Sequence, residues 1–188
     1  MVQTLEKTVS FEEYLALSGS NDYKCEFVNG ELIIMPPASG FHALIMRLVF
    51  KLLEQEIERL KLTYLVMPGN VGVRISKNKA RIPDLMILSP EQCTEIKSLN
   101  SAIIESSPFL VIEIVSKGNS EDDYRYKRSE YATMEIPEYW IIDPFEQKIS
   151  ILLLVAGFYD VTEFKDEEII KSALFPELNI TVNQVLNQ

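Results

Sequence analysis

Cysteine occurs only twice in the 188 residues, at Cys25 and Cys93, and histidine only once, at His42. The two cysteines stand far apart and match no metal or redox spacing. They read as the reduced thiols of a cytoplasmic protein. Long apolar runs are also missing. The opening MVQTLEKTVSFEEY has no apolar signal-peptide region. The longest apolar run, residues 149–158, is too short to span a bilayer, so no membrane association is expected. Basic charge is scarce: 18 Lys and Arg face 28 Asp and Glu, for a net charge of −10. Such acidity opposes non-specific adhesion to nucleic acid or to an anionic membrane. It leaves room for nucleic-acid chemistry at one site, because a bound divalent cation and a local basic patch reverse the field there. Repeats, low-complexity tracts and linkers between domains are absent as well, and the length suggests one domain, residues 1–188.

What the chain does have is apolar patterning, with hydrophobic residues at 47%. Ser10 and Glu13 form a capping-box pattern ahead of a short helix to about Leu17, and residues 19–22 read as a breaker. In KCEFVNGELIIMP, Asn29-Gly30 between two strand-like runs predicts a hairpin with a type I′ turn. Residues 40–62 carry a helical stripe, with Leu44, Leu48 and Leu52 beside Ile45, Val49, Leu53, Ile57 and Leu60 facing a core. A second hairpin is expected from TYLVM and VGVRI around Pro68-Gly69-Asn70, then a linker, SKNKA. The strand RIPDLMIL follows, with Pro83 at its start. Residues 91–107 read as a surface loop with at most a turn of helix. Residues 109–115 read as a buried strand, 122–134 as a helix ended by Pro137, and 138–143 as a strand. Residues 148–155, 158–164 and 168–173 read as a β-meander, and 182–186 as a terminal helix.

The buried strand FLVIEIV carries one carboxylate, Glu113. An ionised glutamate in such a setting must be paired, metal-bound or protonated. A second strand, IPDLMIL, carries Asp84. If the two strands are neighbours, the carboxylates converge, and with a backbone carbonyl and waters they suit Mg²⁺, a hard ion that takes octahedral oxygen ligands. The following helix supplies the opposite sign. Asp123, Lys127 and Tyr131 recur every four residues and share a face, so Lys127 reaches back to the carboxylates. Arg74, Lys77, Lys79 and Arg81 lead into the Asp84 strand with no acid between them, a candidate phosphate-contacting patch.

The ordered set of motifs is IPD at Asp84, EIVS at Glu113, DYRYKRSEY with Asp123, Lys127 and Tyr131, and PEYWIIDP at residues 137–144. Upstream stand CEFVNGEL with Glu26, and SGFHALI with His42 opening the long helix. Together they resemble the bacterial Uma group of the PD-(D/E)XK nuclease superfamily, over about 150 residues. The resemblance implies an α/β, restriction-endonuclease-like fold, a mixed central β-sheet flanked by helices. It further implies a DNA endonuclease, with Mg²⁺ (or Mn²⁺) held by Asp84, Glu113 and the Val115 carbonyl. Lys127 would serve the transition state, Glu26 would be an accessory acid, and His42, Asp123 and Tyr131 would lie nearby. A homodimer cutting two strands is expected by the same analogy. One position departs from the superfamily pattern. The lysine two residues after the glutamate is Val115 here, which leaves Lys127 as its substitute and Lys117 as a competitor. If neither lysine reaches the carboxylates, a DNA- or protein-binding relative without activity is the alternative.

Overall fold

Alternation along the apolar strands decides how the protein is layered. The computed structural model describes residues 8–18 and 24–187; the breaker expected at 19–22 lies outside them. In chain order the elements are α1 (Phe11–Ser18), β1 (Cys25–Val28), β2 (Glu31–Ile34), α2 (Gly40–Arg59), β3 (Leu65–Pro68), β4 (Gly72–Ser76), β5 (Lys79–Arg81) and β6 (Leu85–Leu88). They continue with α3 (Pro90–Ile96), β7 (Ile103–Ile104) and β8 (Leu110–Ile114). A π-helical turn (Asp122–Lys127) runs straight into α4 (Arg128–Thr133), followed by β9 (Glu138–Asp143), β10 (Lys148–Val155), β11 (Phe158–Lys165) and α5 (Val182–Leu186).

The strands divide into two mixed sheets. One has the order β2-β1-β5-β4-β7, the other β11-β10-β9-β8-β6-β3. In the larger sheet β6 pairs antiparallel to β8, with Leu85 opposite Ile112, and β8 runs parallel to β9. A parallel pair needs a crossover, and the π-helical turn with α4 provides it.

Side chains on β8 alternate between two cores, as the period of two requires. Leu110, Ile112 and Ile114 join Leu85, Ile87, Trp140 and Ile142 beneath Ile45, Val49, Leu53 and Ile57 of α2. Val111 and Val115 join Met86, Leu88, Tyr139 and Ile141 on the other face, with Tyr131 of α4. Glu113 has the parity of Val111 and Val115, so it faces α4. A third core under α1 gathers Phe11, Tyr14, Cys25, Phe27 and Ile103.

The β1–β2 turn has Asn29 at φ 55° and Gly30 at φ 88°. Two positive φ values define the expected type I′ turn. The second expected hairpin does not form. β3 pairs with β6 in the larger sheet, while β4 pairs with β5 and β7 in the smaller one, so Pro68-Gly69-Asn70 is a crossing between sheets. The segment expected as a linker is the turn of the β4–β5 hairpin. Residues 91–107 hold more structure than expected, namely α3 behind a Ser89–Gln92 capping box, and β7. On α2, Ile45, Val49, Leu53 and Ile57 occupy the core, and Leu44, about 100° round the helix from Ile45, is 54% exposed. The third meander strand is reduced to a single bridge, Ile169 to Thr181. Ile170 and Phe175 plug the first core, and the Ala173 and Leu174 amides donate to the buried Glu138 carboxylate instead of to a strand. Among the described residues, no helix is long and apolar enough to cross a membrane.

Candidate active site

The β6–β8 register sets Asp84, one residue before β6, opposite Glu113. The Ile114 amide donates to Asp84 Oδ2 at 2.8 Å, and His42 Nε2 lies 3.0 Å from Asp84 Oδ1. His42 sits in the first turn of α2, where its own amide donates to the Ser39 N-cap. Its other ring nitrogen, Nδ1, lies 3.4 Å from Ser116 Oγ.

Glu113 is 3% exposed and Lys127 5%. Lys127 Nζ reaches Glu113 Oε2 at 3.0 Å and Asp123 Oδ1 at 2.9 Å. The Tyr131 hydroxyl donates to Glu113 Oε1 at 2.6 Å. Asp84, Glu113, Asp123, Lys127, Tyr131 and His42 therefore meet at one place. Val115, at the position where the superfamily carries lysine, is packed in the second core, and the Lys127 ammonium arrives from the helix instead. Lys117 is exposed in the turn beyond β8.

The charges are unevenly compensated. Burial opposes the Asp84 charge, but the His42 contact, the Ile114 amide and Lys127 outweigh it and hold this carboxyl below its usual range. For Glu113 burial wins: it pushes the carboxyl up, against Lys127 and with help from Asp123 and Asp84. Asp123 is raised for the same reason, burial first. Burial alone would lower Lys127, yet Glu113 and Asp123 hold it well above the usual lysine range. Burial, then the nearby Glu113 charge, keeps the Tyr131 hydroxyl protonated and donating.

These donors fit a hard divalent cation. Two carboxylates come from adjacent strand positions, and each of their oxygens accepts one contact, leaving a second lone pair. Mg²⁺ commonly takes one or two carboxylates and completes its shell with water and substrate. Among the described residues no group of three or more His, Cys, Asp and Glu is arranged to hold a metal, so the set is one of two carboxylates.

The basic patch has a different fate from the one its sequence suggests. Arg81 is 4% exposed. It donates to Glu130 through Nε and Nη2, to Glu26 through Nη1, and to Asp122 through both Nη atoms. Lys79 pairs with Glu130. Arg74 pairs with Glu105 at 2.6 Å and lies over the Phe11 ring. Of the four cations only Lys77 is exposed without an ion pair among the described residues. Two of them therefore serve the interior, because the acids that match them come from β1 and from the helix. Glu26 is likewise occupied, accepting from Arg81 and from the Ile82 amide at 2.9 Å; it stands beside the site and adds to its negative field. Sequence reasoning passed over Asp122 and Glu130. Their eight-residue separation, two turns of one helix, was the available signal.

A mixed sheet packed by helices, with paired acids at the ends of neighbouring strands, defines a restriction-endonuclease-like α/β protein. Comparison with known families matches residues 11–183 to Uma2, described as "Putative restriction endonuclease", and the chain belongs to that family. An uncharacterized protein of Synechocystis sp. is 28% identical over 153 residues, covering 80% of this chain and 83% of its own length. The crystal structure of a "putative nuclease belonging to DUF820" from Anabaena variabilis superposes with a TM-score of 0.77. It covers 95% of this chain and 98% of that one at 16% identity, which speaks to the fold. The type IIG restriction endonuclease BpuSI aligns with a TM-score of 0.41 at 12% identity, over 81% of this chain and 16% of its own; that likeness is too slight to bear on either fold or function.

Proposed function

We propose that this protein is a Mg²⁺- or Mn²⁺-dependent endonuclease that hydrolyses DNA phosphodiester bonds. One observation carries the reading. Asp84 and Glu113 meet from neighbouring strands, with Lys127 3.0 Å from Glu113 in place of the strand lysine. Asp84 and Glu113, with the Val115 carbonyl, would hold the ion. Once bound, the ion supplies Lewis-acid activation of a water and neutralises developing charge. Lys127 stays protonated at neutral pH, so it offers a fixed positive charge to the transition state and is no proton acceptor. Tyr131 keeps Glu113 pointed at the site, and Asp123 anchors Lys127. Lys77 is the remaining exposed candidate for a phosphate contact. The two free thiols fit a cytoplasmic setting, and a two-fold homodimer would place two sites on two strands.

The test is cleavage of supercoiled plasmid with Mg²⁺ or Mn²⁺. Asp84→Ala and Lys127→Ala should both abolish it; activity that survives both changes rules the assignment out. A second reading, a DNA- or protein-binding relative that does not cut, draws on Lys127 being buried and already held by two carboxylates. Calorimetry showing no Mg²⁺ or Mn²⁺ binding selects it.

A further inference from the structure

The single histidine is placed where it can control a carboxylate. Asp χ2 is a broad torsion with no sharp minimum. A carboxylate that must present its oxygens in a set direction therefore needs outside donors. Asp84 has two, one on each oxygen: the Ile114 amide on Oδ2 at 2.8 Å and His42 Nε2 on Oδ1 at 3.0 Å. The first is part of the sheet and cannot turn. The second is a side chain, and a neutral imidazole donates from Nε2 only in one of its two tautomers. Ser116 Oγ lies 3.4 Å from Nδ1, where its hydroxyl donates in one tautomer and accepts in the other. A hydroxyl donating to Nδ1 leaves the ring proton on Nε2, aimed at Asp84. The three residues come from three elements: α2, the start of β6, and the turn after β8.

We propose that His42 is a positioning residue for Asp84, and that Ser116 selects the tautomer in which it acts. The inference rests on the reading of Asp84 as a metal ligand. The Nε2 proton is committed to Asp84, so His42 acts through that carboxylate and not on substrate. Hydrogen-bonded partners behind metal-ligating groups typically change metal affinity by about 10- to 100-fold when removed. His42→Gln keeps a donor near the Nε2 position, and His42→Ala removes it. The backbone bond to Ser39 is untouched by either.

The first measurement is Mn²⁺ titration calorimetry on the full chain, with thermal melting to confirm that each variant is folded. Wild type should bind and Asp84→Asn should lose binding. His42→Ala should weaken it by about 10- to 100-fold. His42→Gln should restore most of the loss. The second measurement needs no metal. Because the chain has one histidine, a long-range ¹H–¹⁵N spectrum of the labelled protein shows a single imidazole. It should report the Nε2–H tautomer, and Ser116→Ala should release that preference. Unchanged Mn²⁺ affinity in His42→Ala, beside lost affinity in Asp84→Asn, overturns the inference alone, as does an Nδ1–H tautomer. Failure of the wild type to bind Mn²⁺ overturns the metal reading and this inference with it.

Discussion

Arg81 and Lys127 are both buried cations, and both are surrounded by carboxylates drawn from distant parts of the chain. Arg81 spends all five N–H donors of its planar fork on Glu26, Asp122 and Glu130, and Lys79 adds a second positive charge. Glu130 feels burial first, yet its bonds to Arg81 and Lys79 win and hold it below the usual glutamate range. Lys127 is a single point charge with Glu113 and Asp123 in contact and Asp84 close by. There the carboxyls of Glu113 and Asp123 are pushed up. The first cluster is a closed knot in which each anion is satisfied. The second sets three carboxylates beside one lysine, against three on two cations in the first, and under the proposed function a divalent ion would complete it. Acids and cations thus make a brace in one place, partly open at Asp122 and Lys79, and in the other a more deeply buried set that the proposed function reads as a receptor for positive charge.

The largest effect should come from untying the knot. Arg81→Met takes the cation from Glu26 and Asp122 and leaves Glu130 with Lys79 alone, and removing one partner of a buried ion pair costs about 3–5 kcal/mol. Urea denaturation measures this; a loss under ~1 kcal/mol would mean the two clusters do not differ in kind. Lys127→Met should cost less stability, because Glu113 already leans toward its protonated form. Its plasmid-cleavage rate should still fall by about 10²-fold or more, the usual scale for a lost transition-state contact. A Lys127→Met protein that unfolds as readily as Arg81→Met would erase the distinction. Tyr131→Phe removes one donor from buried Glu113 and should cost about 1–3 kcal/mol in the same denaturation experiment.

The smallest effect is a pH limb. Glu130 is lowered in the folded state, so its contribution is present above the ordinary glutamate range and disappears as pH falls through the depressed folded value. Glu130→Gln should flatten that acid limb of the stability curve. The limb surviving intact would assign the acid sensitivity to other carboxylates.

Local pattern made part of this legible. The strand period gave Glu113 its face, Asn29-Gly30 gave the hairpin, and the four-residue spacing put Lys127 and Tyr131 on Glu113, with Asp123 behind Lys127. Non-local pairing hid the rest. Arg81 read as part of a phosphate-contacting patch because its actual partners are distant in sequence, 55, 41 and 49 residues away. The hairpin expected at Pro68-Gly69-Asn70 failed for a related reason, since each flanking strand found a better partner in a different sheet. Leu44 misled because an apolar stripe wider than the buried one leaves its margin exposed.

The π-helical turn and α4 form one continuous helix that carries residues for both clusters, one position apart. Asp122 and Glu130 serve Arg81, whereas Asp123, Lys127 and Tyr131 serve Glu113. This helix is keyed like a two-bitted lock. Sliding its register by one residue would carry Asp122 and Glu130 toward the positions of Asp123 and Tyr131, and neither cluster could close. A single-residue insertion or deletion after Glu113 is therefore coupled to both brace and receptor at once. The helix register is a shared constraint on fold and chemistry, even though the two clusters have no side chain in common.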